Sequence, residues 1–319
     1  MLLSKIIEKK FDEVLGRYNG NPAIRYPSLA DFPELQRKNF DIVGEHQVNL
    51  KGYFYYYNKI SANQLVVFDH GIDAGHMAYL AEIDYLARNG YTVYSYDHTG
   101  CVDSGGEGIL GFAQGINDLD HVLTALHRDP DFVDSTFMVV GHSWGAYSAM
   151  NVAALHPEVT HIVSLAGFLS AEALIRQYIP KIFHHYTKEV MERERFHNPL
   201  YADMDARDSI KKSSAKLFHI QSKDDSMVKY DLCYIPLFEA LNGRKDTVLI
   251  STNHKNHNPQ RTLEATAADI CMKKQLHRLT KKKQLSPEEK EAFRKSQDWN
   301  KIVQQDSEVW KQILDFLKK

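Results

Sequence analysis

The stretch Gly141-His142-Ser143-Trp144-Gly145 constrains this chain more than any other. It reads G-x-S-x-G, and its flanks give the letters meaning. Thr136 to Val140 before it is β-branched and apolar, the mark of a buried strand. Ala146 to Leu155 after it is rich in alanine and other helix formers. A strand, a sharp turn and a helix would hold Ser143 in a strained backbone conformation. Its hydroxyl would stand above a sheet, with the two glycines letting neighbouring segments pack against the turn. The plain alternative is an ordinary glycine turn.

The rest of the chain alternates in the same way. Gln64 to Asp69 predicts a strand running into His70-Gly71-Ile72-Asp73, and His76 to Asn89 a helix closed by Gly90. Tyr91 to Tyr96 predicts a strand, and Ile116, Leu119, Val122, Leu123 and Leu126 a helix face. His161 to Leu165, Ala215 to Gln221 and Thr247 to Ser251 predict further strands, with a helix over Tyr230 to Leu241. Earlier, Phe40 to Val43 and Val48 to Tyr57 look like two strands joined by a short turn. Alternation of this kind implies an α/β fold, with a mainly parallel sheet and helices on both faces.

Two stretches break the alternation. Residues 169–213 are aromatic, charged and helix-like, and read as a helical lid insertion over the sheet. Residues 260–301 form a charged helical insertion, with Ser286-Pro287-Glu288-Glu289 as a capping box and a basic triplet at Lys281 to Lys283, best read as solvated. Ser307 is the expected cap of the last helix. The expected layout is therefore a first part of the core at 1–168, the lid at 169–213, and a second part of the core at 214–319. An amphipathic N-terminal helix (Leu3, Ile6, Ile7, Phe11, Val14, Leu15) should dock on the first part.

Composition excludes several classes. A formal net charge of -2 gives no broad attraction to nucleic acid or an anionic membrane. No apolar run approaches a membrane span, and charges interrupt any signal-like h-region near the N-terminus. Three scattered cysteines argue against a disulfide framework and for a reducing, cytoplasmic location.

A serine hydroxyl needs a base, and the base an orienting carboxylate. In an open parallel sheet such groups sit on loops at the carboxyl ends of strands. Asp225 is the favoured acid, because Val228 would anchor its loop, with Asp224 as the alternative. His257 is the favoured base, before Asn258-Pro259, with His254 as the alternative. His254 and His257 spell H-x-x-H, but no further ligand set accompanies them, so neither metal nor cofactor is expected. Two backbone N–H groups should receive an oxyanion, one from Trp144 and one from Ile72 after the His70-Gly71 turn. Cys101 reads as a small buried residue without a base.

These pieces resemble the α/β-hydrolases, in particular the serine aminopeptidase and lysophospholipase-like branch. The resemblance rests on His70-Gly71, the Asp97-to-Gly106 turn, Gly141 to Gly145, Asp225 with Val228, and His257. It covers about two thirds of the chain. The family's D-x-R-G-x-G-x-S-x-G turn here has Thr99 for the arginine and Val102 for the second glycine. The expected activity is serine hydrolysis of a carboxylic ester, with thioester or amide as alternatives, on a small-molecule acyl substrate. Two rivals stand beside it. One is a peptidase using a lid carboxylate (Glu172, Glu189, Glu192 or Glu194, all expected to be solvated) to hold a substrate amine. The other is a non-catalytic binding protein on the same fold.

Overall fold

The structure, a computed structural model, describes residues 9–281 and 283–319. Eight strands form the main sheet: β1 (Gln36–Asn39), β2 (Gly52–Tyr56), β3 (Leu65–Asp69), β4 (Thr92–Tyr96), β5 (Phe137–His142), β6 (Val159–Leu165), β7 (Lys216–Ser222) and β8 (Thr247–Thr252). Their order is β1-β2-β4-β3-β5-β6-β7-β8. The first two pairings are antiparallel and the rest parallel. β3 and β4 are buried along their whole length, and β5 likewise, which is why they read as continuous apolar runs rather than alternating ones.

The first strand was not expected. β1 is Gln-Arg-Lys-Asn and exposed throughout. It is an edge strand whose charged side chains suit a solvent-facing position and carry no hydrophobic period. The expected strand at Phe40 to Val43 is instead part of a separate small ribbon, Ile42–Val43 against Asn49–Leu50.

Helix α1 (Leu80–Arg88) follows a 3-10 turn at His76–Tyr79, and α2 (Gln114–Arg128) and α3 (Trp144–Val152) pack on each other. One apolar layer lies on the α2 and α3 face, with Ile116, Leu119, Leu123, Tyr147 and Met150 fully buried. The other joins α1 to the last helix, Ser307–Leu317, through Ile83, Leu86, Trp310 and Ile313. Asp306, not Ser307, caps that last helix: its carboxylate accepts from the N–H groups of Glu308 and Val309.

Residues 171–212 are helical, with segments at Ala171–Tyr178, Thr187–His197 and Ala206–Lys212. The later insertion forms helices at Leu263–Thr280, Pro287–Lys295 and Trp299–Ile302, and the Ser286 capping box is present. It is more than a solvated face. Met272, Phe293, Trp299 and Ile302 bury themselves with Ala23 in a small core of their own. Of the expected N-terminal helix, Leu3, Ile6 and Ile7 lie outside the described residues. Residues 9–14 are helical, and Phe11 and Leu15 pack on the main core.

Candidate active site

Ser143 sits where β5 meets α3, at φ 56 and ψ -110. A side chain at φ > 0 is strained, and only a turn held from both sides keeps it there. The Ser143 N–H donates to Leu165 O at 2.8 Å. The two motif glycines are demanded by space. A Cβ on Gly145 would lie 2.1 Å from Asp69 O, and one on Gly141 2.3 Å from the Gly145 carbonyl. The end of β3 at Gly145, and the turn's own backbone at Gly141, thus leave no room for a methyl group.

His257 Nδ1 donates to Asp225, at 2.9 Å from Oδ2 and 3.1 Å from Oδ1. Asp225 also accepts from the N–H groups of Met227 and Val228, at 2.8 and 2.9 Å. Val228 is buried, and its carbonyl accepts from Gln221 Nε2 at 2.6 Å, so the acid loop is anchored as its sequence suggested. Asp224 instead faces solvent and accepts from Ser222 Oγ at 2.5 Å. His254 is exposed, in a turn at φ 62. The geometry therefore joins Asp225 to His257 and leaves Asp224 and His254 apart from that pair. Ser143 and His257 line one cleft without a hydrogen bond between them.

Trp144 opens α3, so its backbone N–H is one of the donors a helix start leaves free. Its indole is fully buried and donates to Phe112 O at 2.6 Å. Ile72 lies beside Ser143 in the turn after β3, lining the same cleft.

Three features of the site escaped the sequence. The first is His142, buried with both ring nitrogens engaged. Nε2 donates to His257 O at 2.7 Å, and Nδ1 accepts from Tyr79 Oη at 2.8 Å. Tyr79 Oη in turn accepts the Gly71 N–H at 3.1 Å. This bridge ties the Gly71-Ile72 turn to the His257 loop. Burial, and then the charge on His257, hold the His142 pKa well below the ordinary histidine value, so the ring is neutral as the bridge requires. The only sequence signal was a histidine inside the motif itself.

The second is a charged centre beneath Trp144. His98 is fully buried between Asp69 and Asp118, with Nδ1 3.1 Å from Asp118 Oδ2 and Nε2 bonded to Asp69. Burial opposes the charge, but the two carboxylates outweigh it and hold the His98 pKa up to about 10. Its ring lies 4.4 Å from Trp144. His70, by contrast, is driven down to about 3 by burial and by His98, and accepts the His98 N–H at 3.0 Å. Thr99, which stands where the family pattern has arginine, donates to Asp118 at 2.8 Å.

The third is Glu194. It is buried, not solvated as expected. Its carboxylate accepts from the N–H groups of Phe112 and Ala113, at 2.8 and 3.1 Å. Desolvation raises its pKa to about 7 in spite of those bonds. Cys101 is buried, as expected, and desolvation raises its thiol pKa well above the usual range, which leaves it inert. Among the described residues no cluster of His, Cys, Asp and Glu has the makings of a metal site.

Two cavities meet at Ser143. One, of about 460 Å³, runs beneath the 169–213 segment and is walled by Phe112, Phe168, Leu174, Ile179, Phe183 and Val228. The other, of about 440 Å³, opens on the His257 side.

This sheet order, with a strained serine between strand and helix and an Asp–His pair on the later loops, defines an α/β-hydrolase. The family model described as serine aminopeptidase, S33 matches residues 60–231, more than half of the sequence. The chain belongs to that family. No curated protein matches it in sequence. Among solved structures it is similar to an esterase of Pyrococcus furiosus, at 19% identity over 83% of this chain and 98% of that one, with a TM-score of 0.59. It is also similar to a putative dienelactone hydrolase from Klebsiella pneumoniae, at 14% identity over 89% and 99% of the two chains and a TM-score of 0.55. Est1E from Butyrivibrio proteoclasticus, solved with ferulic acid, matches at 17% identity over 74% and 98%, with a TM-score of 0.53. At these identities the likeness concerns the fold. Among the described residues no helix is long and apolar enough to cross a membrane.

Proposed function

We propose that this α/β-hydrolase is a serine esterase acting on a carboxylic ester with an apolar acyl group. Ser143 Oγ attacks the ester carbonyl carbon while His257 Nε2 takes its proton. Asp225 orients the ring and stabilises the imidazolium. The Ile72 and Trp144 N–H groups receive the oxyanion. Collapse of the tetrahedral intermediate breaks the bond to the leaving oxygen, which takes the proton from His257. Water then attacks the acyl-enzyme by the same route and releases the acid. No cofactor enters this scheme.

The observation that carries this reading is the Asp225–His257 pair facing the same cleft as a serine held at φ 56. A binding protein has no need of that combination. The peptidase alternative in its lid-glutamate form is weakened, because none of Glu172, Glu189, Glu192 and Glu194 lines either cavity, and Glu194 is already bonded to backbone. The 169–213 segment would serve as a lid whose apolar underside holds the acyl chain.

Each buried methylene adds about 0.8 kcal/mol, roughly a fourfold gain in kcat/KM per carbon while the cavity lasts. On p-nitrophenyl esters the rate should climb from acetate to a short or medium chain and then fall. A flat profile, or aminoacyl amides outpacing every ester, would favour the peptidase.

A further inference from the structure

The 440 Å³ cavity has a different character from the acyl cavity, and resting on the esterase reading its place in the reaction can be deduced. Ser143 and Ile72 line both cavities, but His257 lines only the second. The departing oxygen must take its proton from His257, so the leaving group lies on the His257 side. The acyl group is left the apolar side.

The far wall of this second cavity comes from the 260–301 insertion, through Asp269, Met272, Lys273 and Trp299, from Val303 just after it, and from the connector at Arg25 and Tyr26. Its volume suits a bulky group rather than a methyl or ethyl one. Its charges are unevenly satisfied. Arg25 is paired with Asp31, Lys273 with Asp269 at 2.8 Å, and Arg261 with Glu82 at 3.5 Å. Asp73 lines both cavities, next to Ile72; it is exposed to solvent and has no hydrogen-bond or ion-pair partner among the described residues. An anionic leaving group would meet cations already engaged and would face Asp73. A cationic one would pair with Asp73, the lining carboxylate that no cation already holds.

We propose that this cavity is a leaving-group site for a bulky alcohol carrying a positive charge, with Asp73 as the specificity residue. The insertion that the family core does not need is then what builds the alcohol half of the substrate site.

The test holds the acyl group fixed as butyrate and varies only the alcohol: 2-(trimethylammonio)ethyl, its neutral carbon isostere 3,3-dimethylbutyl, and 2-sulfoethyl. The cationic ester should exceed the neutral isostere about tenfold in kcat/KM, as one charge pair near the surface warrants, with the anionic ester slowest. Asp73→Asn should collapse the cation-to-neutral ratio toward one. Asparagine tolerates the φ of 52 that Asp73 adopts, so the variant should fold. Val303→Trp should lower the ratio of bulky to ethyl ester turnover. Tetramethylammonium should slow fluorophosphonate labelling of Ser143 more than sodium at equal ionic strength. Equal rates on the three esters, a preference for the sulfonate, an Asp73→Asn ratio equal to wild type, or a dominant preference for aminoacyl amides would each overturn the assignment. If Ser143 is labelled and esters are cleaved without a charge ranking, only the leaving-group site falls. If no ester is cleaved and Ser143 resists the probe, the esterase reading falls and takes the site with it.

Discussion

The loops at the carboxyl edge of the sheet and the two helical insertions above it are built to different standards. In the loops the polar groups that position His257 are fixed by specific partners. The Asp225 carboxylate takes two backbone N–H groups besides His257, and His142 uses both ring nitrogens. The insertions meet the site mostly through apolar walls, with Ile182, Phe196 and Leu200 of the first still 78 to 81% exposed. The difference teaches that chemistry and selection are separable here. The loops would set whether a bond breaks, and the insertions which molecule is presented. Glu194 is one of several exceptions, a buried polar link from an insertion helix into the core.

The comparison is broken most directly at the loops. Ser143→Ala should remove fluorophosphonate labelling and cut turnover by roughly six orders of magnitude, and His257→Ala by about four or more. His254→Ala should change little. Labelling that persists on another residue in Ser143→Ala would sink the assignment.

The next contrast lies inside one loop. Asp225→Asn should cost about four orders of magnitude, because the amide misorients the His257 ring. Asp224→Asn, on a solvent-facing neighbour, should stay within a few fold. A reversal of the two would mean that the loop rearranges before chemistry.

The bridge is expected to matter less, since it acts through position. His142→Ala should lower kcat by roughly ten- to a hundredfold with KM little changed, as small displacements of reacting groups do. Tyr79→Phe, which deletes both bonds of the tyrosine hydroxyl but keeps the His142–His257 bond, should do less. A KM effect without a kcat effect would assign His142 to binding.

The last effect is on stability rather than turnover, and tests the insertion side. The Glu194 carboxyl has an ordinary pKa of 4.5 and is held at about 7 by burial, so the folded state binds its proton more tightly than the unfolded state does. Stability from this group is therefore fully present below about pH 4.5 and is lost as pH rises to about 7. The full window is worth about 3 kcal/mol. Glu194→Gln should remove that slope from a urea-denaturation series across pH 4.5 to 7.5. An unchanged slope would move the titration to another group.

Much of this molecule could be read from its residues alone. Gly141 to Gly145 between an apolar strand and an alanine-rich helix made the strand-turn-helix around Ser143 legible, because the two glycines sit where a side chain has no room. The parallel order of the core followed from alternating elements. Asp225 was separable from Asp224 by Val228, whose burial ties the loop down. What the sequence left open depends on groups brought together from far apart. β1 has no apolar period, since an exposed edge strand is held mainly by its backbone pairing with β2. His142 gains its role from Tyr79 and from the His257 carbonyl, 63 and 115 residues away. Glu194 looked like any surface glutamate until its helix placed it against Phe112 and Ala113. The unpartnered carboxylate of Asp73 in the second cavity was likewise invisible, because a missing partner is a property of the packed surroundings. Local periodicity and turn chemistry are encoded residue by residue. Burial, pKa and the shape of a pocket belong to the tertiary structure, which alone decides what each side chain is enclosed by.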